Sequence, residues 1–482
     1  MRILRRSVPA LLASLLTASC AALGPDYSRP PIPAPDAFRM AEGALDAPSI
    51  ANLPWWDLLK DEELQKLVRI ALRENKDLKR AAASVEEFEA RLATSRMDFA
   101  PKADVTGNAP ALGRLGGVRF PGFPNPFNYY AQGTLSWELD LWGRIRRSNE
   151  AARAELLARE ENRRAVLLQL VSGVAQSYFD LRQLDWQLDV AKRTLQSWEE
   201  SVRIAQARLR QGMIAKLDAD QFEAERAGAA ARAAELERLM VQKENELSVF
   251  LGRVPGLIPR GRVLTEQAMP PEIPPGLPSQ LLQRRPDVLQ AEQELVAATA
   301  KIGVALADRF PQISLTGVLG VASPQLASLF TDAGKFGAAG LGLAGPVFNA
   351  KALGFQQKAV EAQAKQAVAQ YEQTVLIAFK EVEDALVAVR TAREQAAAQQ
   401  AQVNALQSAL RLADLRYRGG LANYLDVLVA RRSLFEAELA LAGTRRLQLV
   451  SVVQLYKALG GGWTPPEKTG KDEAAALFKS PS

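Results

Sequence analysis

The chain has 482 residues, with 60 Lys and Arg against 54 Asp and Glu, and a formal charge of +6 to which Arg2, Arg5 and Arg6 contribute from a leader without acids. No block of basic residues is interleaved with aromatics, so no nucleic-acid partner is expected. Histidine is absent and Cys20 is the single cysteine, which removes Cys/His nucleophiles, disulfide frameworks and most metal sites, so neither an enzyme nor a metal or cofactor site is expected.

Residues 1–19 read as a lipoprotein signal peptide: arginine-rich, then apolar from Val8 to Leu16, then Thr17-Ala18-Ser19 before Cys20. The apolar run is too short to span a bilayer, which needs about twenty residues. Cys20 stands where a lipobox places the acylated residue. Its thiol would take a diacylglycerol and its freed amine a third acyl chain, and two or more chains anchor stably. Ala21 follows in place of Asp, as in lipoproteins sorted to the outer membrane. A lipidated, extended segment over 20–60 comes next, proline-rich from Gly24 to Pro35.

Helical periodicity begins near Asp61, with Leu64, Leu67, Val68, Ala71 and Leu72 recurring at three and four. It continues through Leu78, Ala82, Val85 and Phe88 and stops before Pro101. The period then changes to two. Tyr129, Ala131, Gly133, Leu135, Trp137, Leu139 and Leu141 form one face and Tyr130, Gln132, Thr134, Ser136, Glu138 and Asp140 the other. That is the alternation and length of a membrane-crossing strand, and Tyr129 and Trp137 bracket the apolar face where an aromatic girdle would lie. Strands are expected over roughly 101–109 with 129–142, and over 311–321 with 337–348. From Arg144 to about Arg210 there is no proline and one glycine, Gly173, which predicts a helix approaching ~100 Å. Lys351 to about Arg418 is its counterpart.

The chain contains itself twice. The segment from Arg208 to Asp218 reappears from Arg416 to Asp426 at an offset of 208, and Leu251-Gly252 matches Leu459-Gly460. Pro101 and Gly107 answer Pro311 and Gly317 at an offset of 210. Such a period is too long for a solenoid and marks a duplicated half. The unit is helix, strand hairpin, long helix, turn, returning helix, over 61–254 and again over 279–463. A proline-rich linker over 255–278 joins them and a flexible tail over 464–482 follows. Four strands leave two edges with unsatisfied backbone groups, which lipid does not tolerate, so strands in a membrane would require several chains to complete one barrel.

Several segments carry a resemblance: Gly24-Pro25-Asp26-Tyr27 with Arg29-Pro30, Trp137 to Gly143, Leu281 to Asp287, Phe310-Pro311, and Tyr456 to Trp463. In their order and spacing the chain resembles the TolC/OprM-type outer-membrane efflux proteins, particularly the lipid-anchored OprM and NodT branch. The resemblance implies a mixed α and β membrane protein. It would be a homotrimeric 12-stranded β-barrel, four strands per chain, continued into a long periplasmic α-helical barrel. It implies the exit duct of a tripartite pump, passively conducting small molecules such as drugs. An inner-membrane RND-type transporter and a periplasmic adaptor would be the partners, with outer-membrane lipid around the barrel.

On that pattern Gly212, Gly419 and Gly420 are the periplasmic turns, helix C-caps that would also contact the adaptor. Beyond them Leu217, Asp218, Asp220, Leu425, Asp426 and Arg432 are the candidate periplasmic gate, where a threefold axis would turn one side chain into a ring. Relatives close the tip with leucine and aspartate rings, but Gln221 and Val429 stand at the matching aspartate places here. Arg284-Arg285-Pro286-Asp287 reads as structural, with Pro286 in an early helical turn. Two alternatives stay open at this point: a type I secretion-like polypeptide duct of the same fold, and a periplasmic coiled-coil lipoprotein without a pore.

Overall fold

The structure, a computed structural model, describes residues 22–32, 35, 37–39, 52–108, 129–269 and 278–461. The signal peptide, Cys20, the loop over 111–128, the last part of the linker and the tail lie outside the described residues. In chain order the elements are α1 (Trp55–Leu58), α2 (Glu62–Glu74), α3 (Lys76–Met97), β1 (Lys102–Asn108), β2 (Tyr129–Leu139), α4 (Arg144–Arg210) and α5 (Lys216–Phe250). Then follow α6 (Pro278–Arg284), α7 (Pro286–Ala307), β3 (Gln312–Ser323), β4 (Lys335–Ala344), α8 (Ala350–Arg418) and α9 (Tyr424–Ala458). Contacts divide the chain into two compact units, each drawing on both repeats. A sheet-bearing unit takes Met1–Pro31, Ala83–Glu160 and Gln290–Glu372, and a helical unit takes Ile32–Ala82, Glu161–Leu289 and Gln373–Ser482.

In the sheet-bearing unit the strands form one antiparallel sheet in the order β1-β2-β3-β4. The seam between β2 and β3 joins the two repeats, from Tyr129 opposite Ser323 to Leu139 opposite Ile313. Two strand limits differ from expectation. β2 stops at Leu139, before 142, because Asp140 accepts the amides of Ile145 and Arg146 at 3.0 Å each and so caps α4. β4 spans 335–344 and not 337–348; Pro346, just beyond it, has no N–H to give a ladder.

The N-terminal segment is strapped across the strand–helix junction of the same unit. Leu23 N donates to Trp142 O at 3.1 Å, and the buried Arg147 guanidinium bonds Leu23 O and the Asp26 carboxylate at 3.1 and 2.7 Å. Farther along, Tyr27 and Arg29 both donate to the buried Glu292 of α7. Gly24 lies so close to Gly303 that a Cβ on either would meet the other segment's backbone at 2.5 Å.

In the helical unit the expected helix from Asp61 is broken at Asn75, which takes an extended ψ of 135°. The break is built in. Asn75 Oδ1 accepts Leu78 N to start α3, while its Nδ2 donates to Phe250 O at the end of α5, both at 2.9 Å. Asp61 is a hub: nearly fully buried, it accepts from Glu63 N and Leu64 N, from Tyr178 Oη, from Arg262 N and from Gln267 Nε2. Burial pushes this carboxyl up, but the bonds from Gln267, Leu64, Tyr178 and Arg262 outweigh it and hold the group below its ordinary value. The glycine inside α4, Gly173, lies under the Phe250 ring, where a Cβ would come within 3.1 Å of it.

The RRPD segment is structural, as its sequence suggests. Pro286 opens α7, and buried Arg285 pairs with Asp287 at 2.6 Å and Glu381 at 2.7 Å while donating to Ala458 O at 3.0 Å. Phe250 and Ala458 are repeat mates, so the carbonyl ending each returning helix is satisfied by a different residue type, Asn75 in one copy and Arg285 in the other.

Candidate channel wall, turns and gate

Directly paired strand residues point to the same face, so the register sorts the sheet into two sets. Val105, Leu135, Trp137, Leu315, Leu319, Leu341 and Leu343 all fall on one face, and all are exposed. The other face carries Asp104, Thr106, Gln132, Thr134, Ser136 and Thr316, then mainly small residues along β4: Ala338, Gly340, Gly342 and Ala344. An exposed apolar face of this extent is not left to water in a soluble monomer. Among the described residues no helix is long and apolar enough to cross a membrane.

Tyr129 begins β2 and Trp137 lies near its helix end, on the same face. Trp137 Nε1 donates to Phe99 O at 3.0 Å, and Trp142 stacks on Phe310 at 4.9 Å while its Nε1 donates to Pro311 O. Aromatics therefore gather where strands give way to helices, and the sequence alone had marked only Trp137 there.

In the helical unit four glycines close helices in one way. Gly212, Gly252, Gly420 and Gly460 have φ between 69° and 71°. In each turn the next amide reaches the carbonyl five residues back, as in Met213 to Arg208 and Leu421 to Arg416 at 2.9 and 2.8 Å. Their surroundings separate them into pairs. A Cβ on Gly252 would collide with the Glu74 carbonyl, and one on Gly460 would sit 3.1 Å from Arg284 O. Nothing lies within 4 Å of a Cβ on Gly212 or Gly420. Met213 and Leu421, next in the chain, are exposed apolar side chains on open turns. Gly419, grouped with Gly420 from sequence, does not take a positive φ and only precedes the turn.

Leu217 and Asp220 are exposed on α5, and Leu425, Asp426 and Val429 on α9. Asp218 Oδ2 accepts Ala215 N at 3.3 Å, so part of its role is local capping. Arg432 pairs with Glu436 at 3.3 Å, one turn on, and not with Asp218, Asp220 or Asp426. Leu425, Val429 and Arg432 share one stripe of α9.

The two hairpins are tied beside these residues by contacts that sequence reasoning missed. Phe222 of α5 stacks on Tyr424 of α9 at 3.9 Å. Arg208 of α4 donates to the Tyr417 hydroxyl of α8 at 2.7 Å. Arg431 lies 4.7 Å over Trp198 and donates to Ser201 at 2.9 Å. A signal existed: at the 208 offset, Trp198 and Phe222 face Leu406 and Ala430, while Tyr417 and Tyr424 face Leu209 and Lys216. Each aromatic occurs where its repeat mate is not aromatic.

Comparison with known proteins agrees with this architecture. The chain matches the family model described as outer membrane efflux protein over residues 67–253 and 277–461, one block per repeat. It is 34% identical over 450 residues to the probable outer membrane lipoprotein SilC of Salmonella typhimurium, covering 93% of this chain and 97% of that protein. It is 36% identical over 471 residues to the antibiotic efflux pump outer membrane protein ArpC of Pseudomonas putida, covering 95% of each. The crystal structure of the open state of the Neisseria gonorrhoeae MtrE outer membrane channel superposes with a TM-score of 0.81 at 30% identity, covering 92% of this chain and 98% of that one. With its doubled hairpin, its sheet apolar on one face and a family match in each repeat, this chain belongs to the outer membrane efflux protein family and is an outer-membrane efflux channel.

Proposed function

We propose that three copies of this chain close a twelve-stranded barrel across the outer membrane and continue it as a helical duct in the periplasm. The observation that carries this is the sheet, apolar on one face through all four strands and ending in β1 and β4. The eleven residues of β2, at ~3.4 Å each and a tilt near 40°, cover about 28 Å, close to the hydrocarbon thickness. Lipid does not tolerate an open edge, so β1 of one copy needs β4 of another. The duct passes small molecules passively, and free energy enters at an inner-membrane RND-type transporter. The periplasmic adaptor docks on the open turns at Gly212 and Gly420, where Met213 and Leu421 offer apolar contact. Tyr129 and Trp137 stand in the aromatic girdle.

Cys20 carries the lipid anchor. The family likeness to a protein named as a lipoprotein supports this, as does the strap that fixes the chain from Leu23 onward. The gate is the stripe around Leu425. With Val429 one turn on, it excludes by an apolar ring more than by charge, and Leu217, Asp218, Asp220, Asp426 and Arg432 line its approach. Purified protein should run as a heat-modifiable trimer and conduct in planar bilayers. Leu425→Ala should raise single-channel conductance by roughly twofold. Monomers that never conduct would end the barrel reading, and unchanged conductance in the variant would take Leu425 out of the gate.

A further inference from the structure

We infer the strand register of the seam between neighbouring copies, an inference that rests on the trimeric barrel proposed above and refines it to residue pairs. Within the chain both hairpins obey the repeat offsets. Lys102 stands opposite Ser136; moving the first by 210 and the second by 208 gives Gln312 opposite Ala344, the pair observed between β3 and β4. The same shifts carry the pair Asn108 and Tyr130 onto Val318 and Ala338, which are also opposite each other. β3 is therefore the copy of β1, and β4 the copy of β2.

It follows that the β2–β3 seam joins the same two kinds of strand that meet when β4 of one copy meets β1 of the next. Its register can be transferred. Ser136 opposite Thr316 becomes Ala344 opposite Thr106 of the neighbouring copy. Leu135 opposite Gly317 becomes Leu343 opposite Gly107, and Thr134 opposite Val318 becomes Gly342 opposite Asn108. The transfer keeps to the faces, because both shifts are even. Leu343 and Gly107 both belong to the apolar face, and Ala344 and Thr106 to the other. The transferred register thus keeps both faces continuous across the seam. A slip of one residue would send every apolar side chain of the next copy to the wrong side. The partner surface is the edge of a second copy of this chain, and the pairing copies a contact that the chain already makes with itself.

The test is a cysteine pair, Thr106→Cys with Ala344→Cys in one chain. Within a chain Thr106 is level with Phe336, so Ala344 lies about 14 Å away across three strand spacings and about 27 Å farther along the sheet, well beyond the ~7 Å that a disulfide can bridge. Between copies they are directly opposite, with Cα atoms about 4.5–5.5 Å apart. The control pairs Thr106→Cys with Gly342→Cys, offset by two residues and so ~7–8 Å away on the diagonal. Trimer mass is measured before oxidation. Boiled gels should then show covalent dimers and trimers forming at least ~10-fold faster for 106/344 than for 106/342. The pair Gly107→Cys with Leu343→Cys, on the other face, should link likewise and stands in should the first pair fail to assemble. Trimers in which the offset control links as fast, or in which neither matched pair links, overturn the register alone. A chain that is monomeric before oxidation overturns the barrel reading, and the register with it.

Discussion

Replacing Gly252 and Gly212 by alanine places one methyl group in the same backbone conformation with opposite surroundings. Both glycines sit near φ +70°, so both variants carry the left-handed cost of an L-residue, about 1–2 kcal/mol. At Gly212 there is nothing more, since no atom lies within 4 Å of the new Cβ. At Gly252 the methyl meets the Glu74 carbonyl and lies 3.1 Å from Asn75 Cα, so the end of α2 must move. Such overpacking costs about 1–3 kcal/mol. The movement also draws Asn75 Nδ2 from Phe250 O, for about 1 kcal/mol more. Gly252→Ala should therefore lose about 2–4 kcal/mol beyond Gly212→Ala, with Gly460→Ala between them because its nearest atom is 3.1 Å away. Irreversible thermal inactivation of the purified protein is the suitable assay. We expect at least ~10-fold faster loss for Gly252→Ala than for Gly212→Ala. Equal rates would refute the distinction between packed and open turns. The open turns should instead matter to export: Gly212→Val with Gly420→Val should assemble yet fail to confer resistance.

Two further outcomes follow from the structure. Asp61→Asn should destabilise the helical unit by roughly 2–4 kcal/mol at neutral pH, since its five donors lose a charged acceptor. Because the Asp61 carboxyl is held low, that stability is full above about pH 4 and is lost as pH falls through the depressed value. Acid-unfolding curves should accordingly shift for the parent more than for Asp61→Asn, and parallel curves would exclude Asp61 as their source. On the sheet, Leu319→Arg should cost about 2–4 kcal/mol of stability in lipid while Thr316→Arg, on the opposite face, costs under ~1. Refolding into vesicles under urea would measure both, and equal losses would contradict the assignment of faces.

The elements were legible in proportion to how strongly local pattern determines them. α4 and α8 were readable because a long run without proline and almost without glycine has little else to be. Strict alternation from Tyr129 marked β2, and the repeat marked its partners. The sequence could not show that β2 stops at Leu139, because the competing capping role of Asp140 depends on where α4 begins. Nor could it show the break at Asn75, whose side chain serves a carbonyl 175 positions away. At the candidate gate, Leu425 and Arg432 could be marked only by the family resemblance, and the partner of Arg432 is Glu436, set by helix geometry. The family match ends the alternative of a coiled-coil lipoprotein without a pore.

The complementary aromatics at the hairpin tips show what a doubled chain can do that a single repeat cannot. A repeat assembled from identical single units must accept every substitution in all units at once. A bulky ring added for contact on one side would then also appear where its neighbour needs room. Once two repeats lie on one chain, mutation can act on them separately. Trp198 and Phe222 in one copy are answered by Tyr417 and Tyr424 in the other, each ring at a position whose repeat mate carries none. Covalent linkage thereby turns a constraint of symmetry into room for divergence, and the two repeats can specialise independently.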